Sequence, residues 1–248
     1  MSAPVTVVTG ASAGIGAAVA VRLARAGHDV VLGYHRSREG AERVAAEVTG
    51  AGRRAVCVGV DVASDGAADL LVEAAARLGP LTGFVANAGA TAHIGDLADT
   101  PVEVVRRVVD VNLVGVLLCM RQAAQVMARS RGGAGGAIVT ISSSSTVTGS
   151  PNEYVHSAAA KAGVEVATLG LARELAQDGV RVACVAPGLV DTGIHADAGD
   201  PARPARMAPQ IPMGRAAEAD EIAAAVAWLL SDEASYVTGA TLRVTGGR

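Results

Sequence analysis

Lys161 is a single lysine in a chain whose other 20 basic residues are all arginine. A guanidinium is bulky and planar, whereas an ammonium is a compact charge with three donors. A position that keeps the ammonium suits compact hydrogen bonds to oxygen acceptors and the lowering of a neighbouring hydroxyl's pKa. Hydroxyls lie close by: Ser142–Ser145 run together, Tyr154 stands seven residues before Lys161, and Ser157 stands four before it. Proton handling among hydroxyls is the chemistry this combination offers.

A second kind of chemistry is written in Thr9-Gly10-Ala11-Ser12-Ala13-Gly14-Ile15-Gly16. Glycines let the backbone turn sharply and approach a ligand. A helix that opens there aims free N–H groups and a partial positive charge at an anion. The spacing G-x-x-x-G-x-G between a first strand and a first helix is a place for a dinucleotide pyrophosphate. The second strand ends in Tyr34-His35-Arg36-Ser37-Arg38, with no acid before Glu39. An acid there would bind the ribose 2′-OH of NAD, and an arginine accommodates the 2′-phosphate of NADP. Arg36 and Ser37, with Arg38 or His35 beside them, favour NADP(H) over NAD(H); a solvated basic loop is the plainer alternative.

Other chemistries find little support. Cys57, Cys119 and Cys184 are far apart and odd in number, which suits small buried hydrophobes better than disulfides or a CxxC metal pair. The five histidines are dispersed, so no metal site is expected. The net charge of -3 and 18% charged residues point away from nucleic acid, and no run of about 18 apolar residues suggests a membrane span. Residues 1–4 carry no basic, cleavable leader, so a cytoplasmic protein is expected. No G-x-S-x-G elbow supports a serine hydrolase.

These residues must be positioned by alternating strands and helices. Strands are expected at Val5–Thr9, 29–33, 55–60, 82–86, 137–142, 180–185 and Thr241–Val244. Helices are expected at 15–26, 39–50, 67–78, 101–130, 153–177 and 218–230. Strands that are apolar throughout imply a parallel sheet covered on both faces. The expectation is an α/β, doubly wound Rossmann-type fold of about seven strands, one dinucleotide-binding domain over 1–248. The stretch 188–214, with four prolines and weak periodicity, breaks the rhythm and reads as a substrate lid over about 189–214. Its Arg203 and Arg206, with Arg215 just beyond, suit either an acidic substrate or a solvated face.

The motifs resemble those of the short-chain dehydrogenase/reductase family, its 3-oxoacyl-ACP-reductase-like branch, along nearly the whole chain. Thr9–Gly16 is similar to its TGxxxGIG loop, Asp61-Val62 to its adenine-binding pair, and Asn87-Ala88-Gly89 to its NAG. Pro187-Gly188 with Thr192 is similar to its nicotinamide-side segment, and the ending 235–239 and Gly246-Gly247 also matches. The resemblance implies cofactor contacts from Gly10, Ser12, Gly14, Ile15, Gly16, Arg36, Ser37, Asp61, Val62, Asn87, Ala88, Gly89, Lys161, Pro187, Gly188 and Thr192. It implies a catalytic set of Asn112, Ser143, Lys161 and the residue four before that lysine. The family has tyrosine there; this chain has Ser157.

A serine hydroxyl is a far weaker acid than a phenol, whose unperturbed pKa is about 10, and it is too short to reach the same point. Tyr154 is a poor replacement, because seven residues of helix separate it from Lys161 by roughly 10 Å and helical side chains lean towards the N-terminus. His156 and His93 are further candidates for the missing acid, each with a packing or solvated role as the simpler reading. Two functions stand side by side. One is an NADP(H)-dependent reductase of a small-molecule ketone, or dehydrogenase of a secondary alcohol, with a 3-oxoacyl or polyketide-like substrate in view. The other is a catalytically weak or non-redox homologue that binds nucleotide and ligand. A homotetramer built on the helices near 101–130 and 153–177 is what the resemblance implies.

Overall fold

The computed structural model describes residues 3–248. Seven strands form one sheet: β1 (Val5–Thr9), β2 (Asp29–Tyr34), β3 (Ala55–Gly59), β4 (Leu81–Ala86), β5 (Gly136–Ile141), β6 (Val180–Pro187) and β7 (Thr241–Val244). Their order is β3-β2-β1-β4-β5-β6-β7, and every neighbouring pair is parallel. The expected doubly wound sheet is therefore present. Strand order reverses between β1 and β4, where such sheets open a crevice at their carboxyl ends.

Successive side chains of a strand point to opposite faces, so an all-apolar strand feeds two cores. Val30 and Leu32 of β2 belong to one core, with α1 (Gly14–Arg25), α2 (Arg38–Gly50) and α10 (Ala219–Leu230). Val31 belongs to the other, with α3 (Ala67–Ala76), α5 (Gly115–Met127) and α7 (Val155–Leu175).

Four regions differ from the sequence expectation. The helix expected over 101–130 is α4 (Val102–Val109), a π-helical turn at Asp110–Val114, and then α5. Such a turn inserts extra backbone into the helix, which apolar periodicity does not register; these insertions recur at functional sites. The helix expected from 153 begins at Val155, after Tyr154 in a non-helical cap conformation. The stretch 188–214 holds two short helices, α8 (Ile194–Asp197) and α9 (Arg203–Met207), the latter with Pro204 in its first turn where proline is tolerated. Leu189, Met207 and Ile211 form a small core of their own beneath it. A further short helix, α6 (Ser145–Thr148), follows β5.

Candidate active site

A cleft of about 850 Å³ lies along the carboxyl ends of the strands. Its lining is drawn from the segments that follow β1 to β6, from the π-helical turn, and from the start of α7.

One half of the cleft is made of backbone. Gly10 and Gly14 hold positive φ values of +66° and +54°, where a side chain is strained. A Cβ on Gly16 would lie 2.3 Å from the Gly10 carbonyl oxygen, so only glycine fits. The N-cap residue of α1, Ala13, offers no side-chain cap, which leaves the first N–H groups of the helix to a ligand. Asn87 braces the turn from behind: its Nδ2 donates to the Thr9 carbonyl oxygen at 2.8 Å. The Thr9 hydroxyl accepts from the backbone N–H groups of Asn87 and Ala88, both at 2.9 Å. Ser12, Ile15, Val62 and Gly89 line the same space. Thr192 folds down onto Gly14, and Pro187 and Gly188 close the wall at the end of β6.

At the outer end Arg36 is exposed on the rim. Ser37 caps α2, its hydroxyl oxygen accepting from the Gly40 N–H at 3.1 Å. Arg38 is paired with Glu42 one helical turn on, which leaves Arg36 as the available guanidinium there. Burial would raise the Asp61 carboxyl, but Arg107 at 2.7 Å and the Ala63 N–H hold it below the usual carboxylate range. Arg107 comes from α4, and no local motif announced it.

The other half is made of side chains from separate elements. Asn112 is buried in the π-helical turn. Its Oδ1 accepts from the Ala90 N–H and its Nδ2 donates to the Ala90 carbonyl oxygen, each at 2.8 Å. The same Nδ2 lies 3.2 Å from Ser157 Oγ. Lys161 Nζ donates to the Ile141 carbonyl oxygen at 2.7 Å, and burial pushes its pKa down to about 8. Ser143 is at the mouth of β5, its Oγ accepting from the Ser145 N–H at 3.1 Å. Ser142, which also lines the cleft, is engaged by Glu165, to which its hydroxyl donates at 2.8 Å. Asn112, Ser143, Ser157 and Lys161 thus line one pocket, as do the expected nucleotide-side residues other than Gly16, whose role is to let the turn close.

The three candidates for a replacement acid lie elsewhere or are committed. Tyr154 reaches the cleft wall, but its ring packs under the Arg203 guanidinium, 5.4 Å from the ring centroid, and burial raises its pKa. His156 is buried against Thr91, with no hydrogen-bond partner for either ring nitrogen among the described residues. Neither His156 nor His93 lines the cleft. The sequence reading missed the pair that shapes the outer wall: Arg203, 6% exposed, donates to both carboxylate oxygens of Glu153 at 2.6 Å each. It also missed His195, whose Nε2 lies 2.9 Å from the Val190 carbonyl oxygen.

The sequence model of the family described as Enoyl-(Acyl carrier protein) reductase matches residues 10–248. The chain belongs to the short-chain dehydrogenase/reductase family. Within that family it is 44% identical over 244 residues to a cis-4-hydroxycyclohexanecarboxylate dehydrogenase from Sinomonas cyclohexanicum, covering 98% of this chain and 95% of that one. Among solved structures it resembles a 3-ketoacyl-(acyl-carrier-protein) reductase from Brucella melitensis complexed with NADH, with TM-score 0.90, 32% identity and coverage of 100% and 98%. A short chain dehydrogenase from Burkholderia cenocepacia in complex with NADP gives TM-score 0.90, 32% identity and coverage of 99% and 98%. No helix among the described residues is long and apolar enough to cross a membrane.

Proposed function

We propose that this short-chain dehydrogenase/reductase is an NADP(H)-dependent oxidoreductase acting on a small ketone or secondary alcohol, with Ser157 at the position of the family's acid tyrosine. The observation that carries the reading is the convergence of Asn112, Ser143, Ser157 and Lys161 beside the glycine turn in one cleft. The fit to a dinucleotide rests on the turn itself, where a Cβ at residue 16 would fill the cradle and the uncapped start of α1 offers its N–H groups. Relatives and neighbours whose names include a dehydrogenase and complexes with NADH and NADP support a nicotinamide dinucleotide. Arg36, exposed on the rim without an acid beside it, supports the phosphorylated form.

When bound, the dinucleotide supplies or accepts the hydride. The chain's residues bind, orient and handle protons. The Gly10–Gly16 turn and α1 take the pyrophosphate. Asp61 and Val62 would flank the adenine, and Arg36 with Ser37 would take the 2′-phosphate. Lys161 would donate to the nicotinamide ribose, while Asn87, Pro187, Gly188 and Thr192 would shape the nicotinamide side. Ser143 Oγ holds the substrate oxygen. Lys161 Nζ carries a dissociable proton in the same cleft, and Asn112 Nδ2 holds Ser157 Oγ at 3.2 Å. Without a phenol this proton is delivered slowly, since loss of a general acid costs about 10²–10⁴ in rate.

The ring alcohol named for the Sinomonas relative and the acyl ketone named for the Brucella neighbour set the substrates to try first. Exposed Val114 and Leu117 near the start of α5, and Val166 and Leu169 on α7, give these helices the apolar faces a homotetramer needs. The test is loss of NADPH absorbance with cyclohexanones and 3-oxoacyl thioesters. Slow turnover that rises in Ser157→Tyr is expected. Dinucleotide binding with no turnover in either protein would favour a non-redox binding role.

A further inference from the structure

Lys161 is a buried cation without a counter-charge. It is 8% exposed, and among the described residues its Nζ has one hydrogen bond, to the Ile141 carbonyl oxygen, and no ion pair. An ammonium removed from water and left unpaired is costly, so such a group is normally matched by an anion or an acidic hydroxyl. The groups packed around it supply neither. Glu165, one turn along α7, is occupied by Ser142, Thr146 and Arg243. Cys184 on β6 is buried and its thiol is pushed up, which keeps it neutral. From the loop after β4, Gly89 presents only its α-carbon, where an added Cβ would lie 3.6 Å from Nζ and 3.4 Å from Asn112 Oδ1.

One turn before Lys161, on the same face of α7, the side chain is only a hydroxymethyl. Ser157 Oγ meets Asn112 Nδ2 at 3.2 Å, and both residues line the cleft with Lys161. Neither neighbour on the helix fills the space a ring would take there. Tyr154 is held beneath Arg203, and His156 lies against Thr91.

We propose that the floor of the cleft, between Ser157, Asn112 and Lys161, is a subsite for an acidic aryl or enolic hydroxyl carried by the ligand. A phenol ring enters where Ser157 leaves room, and its oxygen accepts from Lys161 Nζ. The substrates singled out are hydroxyaryl and enolic carbonyl compounds, which bring to the site the hydroxyl that α7 lacks. The proposal rests on Ser157 occupying the position of the family's tyrosine.

The probe is 4-nitrophenol, whose neutral and ionised forms differ in absorbance, titrated with the full-length protein in the presence and absence of NADP. The native chain is expected to bind it saturably and to lower its pKa by about one unit or more, as an adjacent ammonium does. Ser157→Tyr, which fills the space, is expected to weaken binding at least tenfold. Lys161→Met is expected to retain binding but lose the pKa shift. Circular dichroism and cooperative thermal unfolding report whether each variant is folded. If Ser157→Tyr does not fold, Ser157→Leu serves as the blocking variant. No saturable binding to the native chain, or equal affinity in the blocked variant, would overturn the proposal. Neither result touches the redox reading, which stands or falls on ketone reduction by Ser157→Tyr.

Discussion

The two halves of the cleft are built from different materials. The nucleotide half is backbone: glycines at 10, 14 and 16, free N–H groups of α1, and an asparagine bracing the turn from behind. The catalytic half is side chains carried in by β5, α7 and the π-helical turn. A backbone cradle is redundant in its donors and is broken only by adding bulk. A side-chain constellation depends on each member, so under the proposed function a serine at residue 157 leaves the site without its acid while Asn112 and Lys161 stay in place. Lys161 and Asn112 are still ordered as though a partner stood between them.

Adding bulk to the cradle should give the largest loss. In Gly16→Val the new side chain collides with the Gly10 carbonyl oxygen. Dinucleotide affinity measured by calorimetry is expected to fall by about 100-fold or more, roughly 2.7 kcal/mol. At the rim of the same half, Arg36→Asp exchanges a cation for an acid. NADPH affinity is expected to fall by about 10-fold or more, the worth of a charged hydrogen bond, and NADH affinity to rise.

In the catalytic half, Arg203→Met leaves Glu153 without its guanidinium and unties α9 from the segment before α7. Removing a hydrogen-bonded charge partner costs about 1–3 kcal/mol, read as a Tm lower by about 2–4 °C for each kcal/mol. Substrate KM should rise with dinucleotide affinity unchanged. Equal loss of both would mean that the lid also serves the nucleotide half.

The smallest effect is a pH dependence. Burial lowers Lys161 from 10.5 to about 8. Between those values the unfolded chain holds a proton that the folded chain has released, so this group makes stability rise with pH. Below about 8 both states are protonated and the full cost of burying the charge remains. Lys161→Met removes that cost. Its stability advantage over the native chain is expected to shrink between pH 8 and 10.5, followed by denaturant unfolding at each pH. An advantage constant across that window would mean that Lys161 finds a counter-charge.

The backbone half was the more legible in sequence because its constraints are local. A glycine that must turn at residue 10 and admit a close contact at residue 16 leaves its mark within seven residues, beside a strand and a helix that announce themselves by pattern. The parallel, doubly wound sheet follows from the same local regularity. The catalytic half was legible where a motif is short, at Ser143 and Lys161. It was opaque where partners are distant. Glu153 and Arg203 are 50 residues apart, and Asp61 and Arg107 belong to different crossovers. The π-helical turn that aims Asn112 is hidden inside a continuous helical pattern. The lid helices are shorter than periodicity can resolve.

The separation of the two halves is tested most directly by one paired measurement on Ser157→Tyr and the native chain: NADPH affinity and ketone turnover on the same samples. Affinity is expected to agree within about threefold, less than 1 kcal/mol, while turnover rises by about 10²–10⁴. Turnover unchanged by the tyrosine would contradict the account, and so would a gain in turnover matched by an equal gain in affinity.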